Sequence, residues 1–194
     1  MILAFAFDMV SDHGAFGAEG MFVRQSTRLQ AEDGRIEIGK IFPGTLVQVL
    51  AKHDSLAKIQ VDGWSVKGAP RTVFAAMGQR ILVARLSAAG QSFRKVVNQV
   101  DDTYRTTWER VSITGEVNRS DLVADVASVW ASANKIFSER CSACHSLHRP
   151  KEFTANQWPS MLGMMTYRAA LTDDQAELVT RYLQAHAKDS DSPR

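Results

Sequence analysis

The chain has 194 residues, of which 45% are hydrophobic and 23% charged, and its formal net charge is +2. This is the composition of an ordinary soluble globular protein, long enough for one mid-sized domain or two small ones. Basic residues never run together for five or six positions, and no window approaches the roughly 18 uncharged apolar residues of a membrane helix, so nucleic-acid binding and a direct membrane span are both set aside.

The N-terminal MILAFAFDMV opens on seven uncharged residues, then meets Asp8 and Asp12, with no lysine or arginine ahead of the apolar run. It fits a secretory signal poorly. Residues 1–20 are an unassigned extension. The chemistry read further along belongs outside the cytoplasm, so an export signal is expected upstream.

Residues 21–122 read as short strands broken by turn residues. Gly34, Pro43-Gly44, His53-Asp54-Ser55, Asp62-Gly63 and Gly115 punctuate alternating runs such as Leu46–Leu50 and Ala57–Val61. Period-two alternation at this turn density predicts a small β-barrel. The stretch Lys58–Gly63 also echoes Arg110–Gly115: basic, β-branched, polar, β-branched, polar, glycine. Two divergent copies of one β-module, or one larger barrel whose strands merely resemble each other, account equally for that echo. Trp64 and Trp108 are candidates either for an exposed aromatic surface or for the barrel core.

From residue 123 the period changes. Val126, Val129, Trp130, Ala133, Ile136 and Phe137 share one helical stripe that runs straight into Cys141-Ser142-Ala143-Cys144-His145. A second helix is expected near Trp158, with Asn156 as its N-cap and Pro159 in the first turn, where the missing N–H breaks no helical bond. A third begins at Thr172, whose hydroxyl pairs with Gln175 in a capping box. The helical part is expected over 123–188, and a frayed polar tail over 189–194.

The pentapeptide CSACH holds both cysteines of the chain. Two thiols separated by two residues can each add S–H across one vinyl group of a haem, and the adjacent imidazole then ligates the iron. Cys141 and Cys144 are the predicted attachment points of one covalent haem c, and His145 the proximal ligand. A thioredoxin-like dithiol lacks the strand that should precede it. A zinc site on Cys141, Cys144 and His148 lacks a fourth ligand, and a disulfide this short would staple almost no loop.

The sixth iron position has five candidates: Met161, Met164, Met165, His148 and His186. At helical spacing Trp158, Met161, Leu162 and Met165 share a stripe, while Met164 points away from Trp158. A tryptophan packed on the macrocycle would bring Met165 towards the iron, with Met161 read as packing and a methionine in the apolar core as the commoner use of that residue. His148 lies too close to the proximal ligand to cross the ring, and His186 reads as a surface residue. A His/Met pair raises the reduction potential relative to two imidazoles.

The run from Val129-Trp130 through Phe137, then CSACHSLH, Phe153–Pro159, the methionines and Arg181-Tyr182-Leu183-Gln184 resembles the C-terminal monohaem part of TorC-type pentahaem cytochromes, relatives of the NapC/NirT proteins. The preceding β segment, with Ile59–Trp64 and Ile81–Ala84, is similar as well and is SH3-like. The resemblance covers nearly all of residues 21–188. It implies an α+β chain in two parts: an SH3-like β-barrel region followed by a small all-α cytochrome c domain. It further implies a periplasmic electron carrier rather than an enzyme, set between a membrane-anchored, quinol-oxidising tetrahaem cytochrome and a molybdoenzyme such as trimethylamine N-oxide reductase. The single CxxCH departs from the five-haem pattern: the chain is expected to be the separated C-terminal portion of such a protein or to work with a tetrahaem partner in trans. Two rival functions are a haem-based redox or gas sensor whose β-barrel binds a partner protein, and a cell-wall-binding β domain that carries a haem.

Overall fold

The computed structural model describes residues 19–190. The N-terminal extension expected over 1–20 therefore lies outside the described residues up to position 18, and the expected tail lies outside them beyond 190. Ten strands come first: β1 (Glu19–Val23), β2 (Thr27–Gln30), β3 (Glu37–Ile41), β4 (Leu46–His53), β5 (Leu56–Val66), β6 (Thr72–Ala76), β7 (Gln79–Leu86), β8 (Arg94–Asp101), β9 (Thr107–Asn118) and β10 (Leu122–Val123). Three helices follow: α1 (Val126–Cys141), α2 (Trp158–Thr166) and α3 (Asp173–Ala185). The chain is α+β.

All strand pairings are antiparallel, and β5, β6, β7, β3, β2 and β9 close into a six-stranded barrel through the β5–β9 ladder. Strands β4, β1 and β10 continue outward from β5, and β8 flanks β9. Alternation explains the closure. Ala57, Ile59 and Val61 of β5 face inward with Val111, Ile113 and Val117 of β9, joining Leu29, Ile38 and Val73 in a core drawn entirely from residues 23–122.

The two echoing stretches are the two sides of that closing ladder. Val61 stands opposite Ile113, and the register Gln60↔Thr114, Asp62↔Ser112 runs out symmetrically on either side of the pair. The symmetry extends to the flanking strands: β4 pairs with β5 across a bulge between Val49 and Ala51, and β8 pairs with β9 across a bulge between Val96 and Asn98. Both copies of the echo thus lie in one closed barrel.

Asp62-Gly63 and Gly115 are not turns. They sit inside β5 and β9, because each glycine lies where a neighbouring backbone presses in: a Cβ on Gly63 would meet the Phe74 carbonyl oxygen at 2.7 Å, and one on Gly115 the Gln30 carbonyl oxygen at 2.7 Å. Trp108 is buried, its ring edge-on to Phe74 and its Nε1 donating to Asp102 at 2.8 Å, so it is no surface aromatic; Trp64 is half-buried.

The helical stripe forms as its periodicity predicts. Val126, Val129, Trp130, Ala133 and Phe137 are buried, Ile136 is half-buried, and the Asp125 carboxylate caps α1 by accepting from Ala127 N at 2.9 Å. The Thr172–Gln175 capping box at α3 is present in both directions, at 3.3 and 3.1 Å. Trp130 lies against the Pro43-Gly44 turn, where Gly44 takes φ +71° and any Cβ would fall 2.0 Å from the indole. Only glycine allows helix and barrel to touch there.

The N-cap of α2 is Gln157, not Asn156. The Asn156 side chain instead reaches the β6–β7 turn, where Oδ1 accepts from Arg80 N at 2.6 Å and Nδ2 donates to Gly78 O at 2.8 Å. Two long-range partners outcompete one local cap. Asn156→Asp keeps a good capping carboxylate but loses the donor to Gly78, so it is expected to destabilise the fold by about 1–3 kcal/mol in chemical denaturation. An unchanged midpoint would return Asn156 to a capping role.

Further contacts join barrel and helices. Gln184 Nε2 donates to Arg80 O at 3.1 Å and to Ala155 O at 2.9 Å, the Lys40 ammonium pairs with Glu177 at 2.7 Å, and Arg181 Nε donates to Pro43 O at 3.1 Å. Ile81 of β7 belongs to the helical core.

Candidate haem site

Helix α1 ends on Cys141, and the chain then turns through Cys144 and His145 before crossing back to α2. Those elements border a cleft that is open to solvent. Cys141, Cys144, His145, His148, Trp158, Met161, Leu162 and Met165 all line it. The sequence-predicted attachment residues, proximal ligand, tryptophan and preferred methionine therefore share one cavity. They come from positions up to 24 apart in the chain.

Both cysteines are free thiols, Cys141 half-buried and Cys144 exposed. Burial, and then the neighbouring Cys144, pushes the Cys141 thiol above its usual pKa. His145 Nδ1 lies 2.7 Å from the carbonyl oxygen of Ser146. A carbonyl only accepts, so Nδ1 carries a proton, and in the neutral ring Nε2 is then the nitrogen whose lone pair a metal would take. His148 is held differently: its Nδ1 is 2.9 Å from Glu152 Oε1, and that hydrogen bond is the main cause of the lowered Glu152 pKa. Edge-to-face contacts run from His145 to His148, Phe153 and Trp158 with centroids 5.7, 5.2 and 5.0 Å apart. Trp158 Nε1 donates to Pro150 O at 2.9 Å, fixing the indole on the cleft wall.

The remaining distal candidates separate by position. Met164 is 61% exposed and does not line the cleft, whereas Met165 does. Met161 also lines it while packing on the helical core. His186 is half-buried rather than fully exposed. Its ring stacks 4.6 Å from Tyr182 and 5.9 Å from Trp130, because it terminates α3 against α1, away from the cleft. Arg140 and Arg168, which motif reasoning passed over, also line the cavity. Arg140 directly precedes Cys141 and Arg168 follows Met165 by three, spacings that would have flagged them.

These residues fit a haem. The cavity is mostly apolar, and two free thiols, an imidazole whose Nδ1 is engaged by a backbone carbonyl, and a thioether all line it. Among the described residues no group of three or more His, Cys, Asp or Glu is arranged to hold a metal ion unaided, so the zinc set with His148 is not assembled.

The family model described as TorC third cytochrome c domain matches residues 17–122. The chain belongs to that family. A second model, dihaem cytochrome c, matches residues 137–193 of this TorC-family chain and covers the CSACH cleft. The two meet the two structural parts, and both cysteines lie in the second. Cytochrome c-type protein TorY of Escherichia coli O157:H7 is 29% identical over 154 residues, covering 79% of this chain and 42% of its own. Cytochrome c-type protein TorC of Escherichia coli K12 is 28% identical over 155 residues, 78% of this chain and 40% of its own. TorY of Haemophilus influenzae is 28% identical over 128 residues, 66% and 35%. The chain thus spans about two fifths of the length of these two Escherichia coli relatives. No solved structure matches.

Proposed function

We propose that the chain carries one covalent haem c on Cys141 and Cys144 and serves as a one-electron carrier that turns over no substrate. The observation that carries this reading is the shared cleft, which both thiols, His145 and Met165 all line. When bound, haem supplies an Fe(III)/Fe(II) couple whose potential the protein tunes by ligand and burial. His145 offers Nε2 because the Ser146 carbonyl holds the other nitrogen's proton. Met165 offers a thioether, while the buried Trp158 and Leu162 line the same cleft.

The count of one follows from a single cysteine pair in the sequence. The resemblance to pentahaem cytochromes and the TorC and TorY relatives support a periplasmic place for this carrier. There it receives electrons from a quinol-oxidising tetrahaem cytochrome, in cis or in trans, and passes them to a terminal reductase such as trimethylamine N-oxide reductase. Among the described residues no helix is long and apolar enough to cross a membrane. The domain limits 21–122 and 123–188 and the SH3-like character of the barrel belong to the same proposal.

Optical spectra of the mature protein in both redox states, with and without carbon monoxide, test it. Six-coordinate low-spin iron that ignores carbon monoxide is expected. A site that takes the gas would support the haem-sensor reading instead.

A further inference from the structure

The overall charge of +2 hides an uneven distribution. Between Lys135 and Leu171, the segment that builds the cleft, there are five cations, Lys135, Arg140, Arg149, Lys151 and Arg168, against two carboxylates, Glu139 and Glu152. That is +3 for the segment and −1 for the rest of the chain. Both carboxylates are engaged, Glu139 with Lys135 at 4.0 Å and Glu152 with His148 at 2.9 Å. Arg140 and Arg168 are the charged residues that line the cleft besides its histidines, and among the described residues neither side chain has a hydrogen-bond or ion-pair partner. The acidic first turn of α3, Asp173 and Asp174, does not line it.

Beside Arg168, Tyr167 is 94% exposed and Met164, three positions earlier in the chain, is 61% exposed. Tyrosine, methionine and arginine are residue types enriched where protein surfaces meet. A cleft bordered by unpaired cations over low-dielectric walls also focuses a positive field at its mouth.

We infer that the mouth of the cleft, lined by Arg140 and Arg168 and flanked in the chain by the exposed Met164 and Tyr167, is the docking face for an acidic protein surface on the electron-transfer partner. This rests on the haem reading and names the chemistry of the partner. Unpaired guanidiniums at the rim accelerate encounter with an anionic face and fix its orientation, while the exposed tyrosine and methionine supply apolar contact once it is seated.

Stopped-flow oxidation of the ferrous, haem-loaded full chain tests the field, with ferricyanide as the anionic probe and tris(phenanthroline)cobalt(III) as the cationic one. The ferricyanide rate is expected to fall as salt rises and the cobalt rate to climb. Arg140→Glu with Arg168→Glu should slow ferricyanide at least about tenfold at low salt and reverse both salt slopes. Should the double variant fail to load haem, Arg168→Gln alone should slow ferricyanide about threefold. Rates indifferent to salt, or unchanged in the variants, overturn the inference. A colourless wild-type chain would sink the haem reading itself, whereas a coloured chain with salt-independent rates sinks only the docking face.

Discussion

Cys141→Ala with Cys144→Ala, exported alongside the haem-attachment machinery, is expected to give a colourless chain at the mass of the polypeptide, negative on a haem-stained gel. The thiols are the two attachment atoms available, since the sequence holds no other cysteine. The loss should be confined to the helical part. The barrel core draws on no residue beyond Leu122, so its strand signal in circular dichroism should persist while the α-helical signal weakens. The helical core lies around the cleft, with Phe137, Trp158 and Leu162 shared between core and cavity lining, so removing a bound group leaves those side chains facing water. Each single variant keeps one possible thioether and should hold haem in lower yield. A double variant that still stains after denaturation would refute covalent attachment at this motif.

Met165→Ala should keep the haem and change its ligation. With the thioether gone, iron held by His145 alone is expected to bind carbon monoxide, to lose the methionine-to-iron charge-transfer band, and to fall in potential by on the order of 100 mV, within the roughly 0.8 V that axial ligation spans. Two neighbours serve as internal comparisons. Met164→Ala removes a side chain that is mostly in water and should leave spectrum and potential as they were. Met161→Ala removes a half-buried member of the helical core and should cost about 2 kcal/mol of stability with the charge-transfer band retained. If the band survives in Met165→Ala and vanishes in Met161→Ala, the distal assignment moves by one turn of α2.

Features with short-range causes are legible in the residues themselves. The α1 stripe, the Thr172–Gln175 box and the CSACH spacing each depend on residues within a few positions of one another, where helical period and covalent geometry leave few alternatives. Met165 is preferred over Met164 for the same reason, since one residue along a helix turns a side chain by about 100°. Misreadings arise where the deciding partner is distant in the chain. Asn156 looks like a cap until the β6–β7 turn, 76 and 78 positions away, offers it two backbone partners. Gly63 and Gly115 look like turns until the crossing strands press on them. His186 looks like surface until Trp130 and Tyr182 enclose it.

By itself, the sequence determined the CxxCH spacing on which the proposed haem attachment rests, the alternation of the strands and the three helices, because motif spacing and local periodicity are written within single segments. Only the tertiary structure decided that the echoing strands would zip together and close the barrel. It alone decided, too, that Met165 would line the same cleft as His145, with Arg140 and Arg168 beside them in its lining. Those outcomes depend on burying apolar faces contributed by segments far apart in the chain, and the energy of that burial belongs to no single segment.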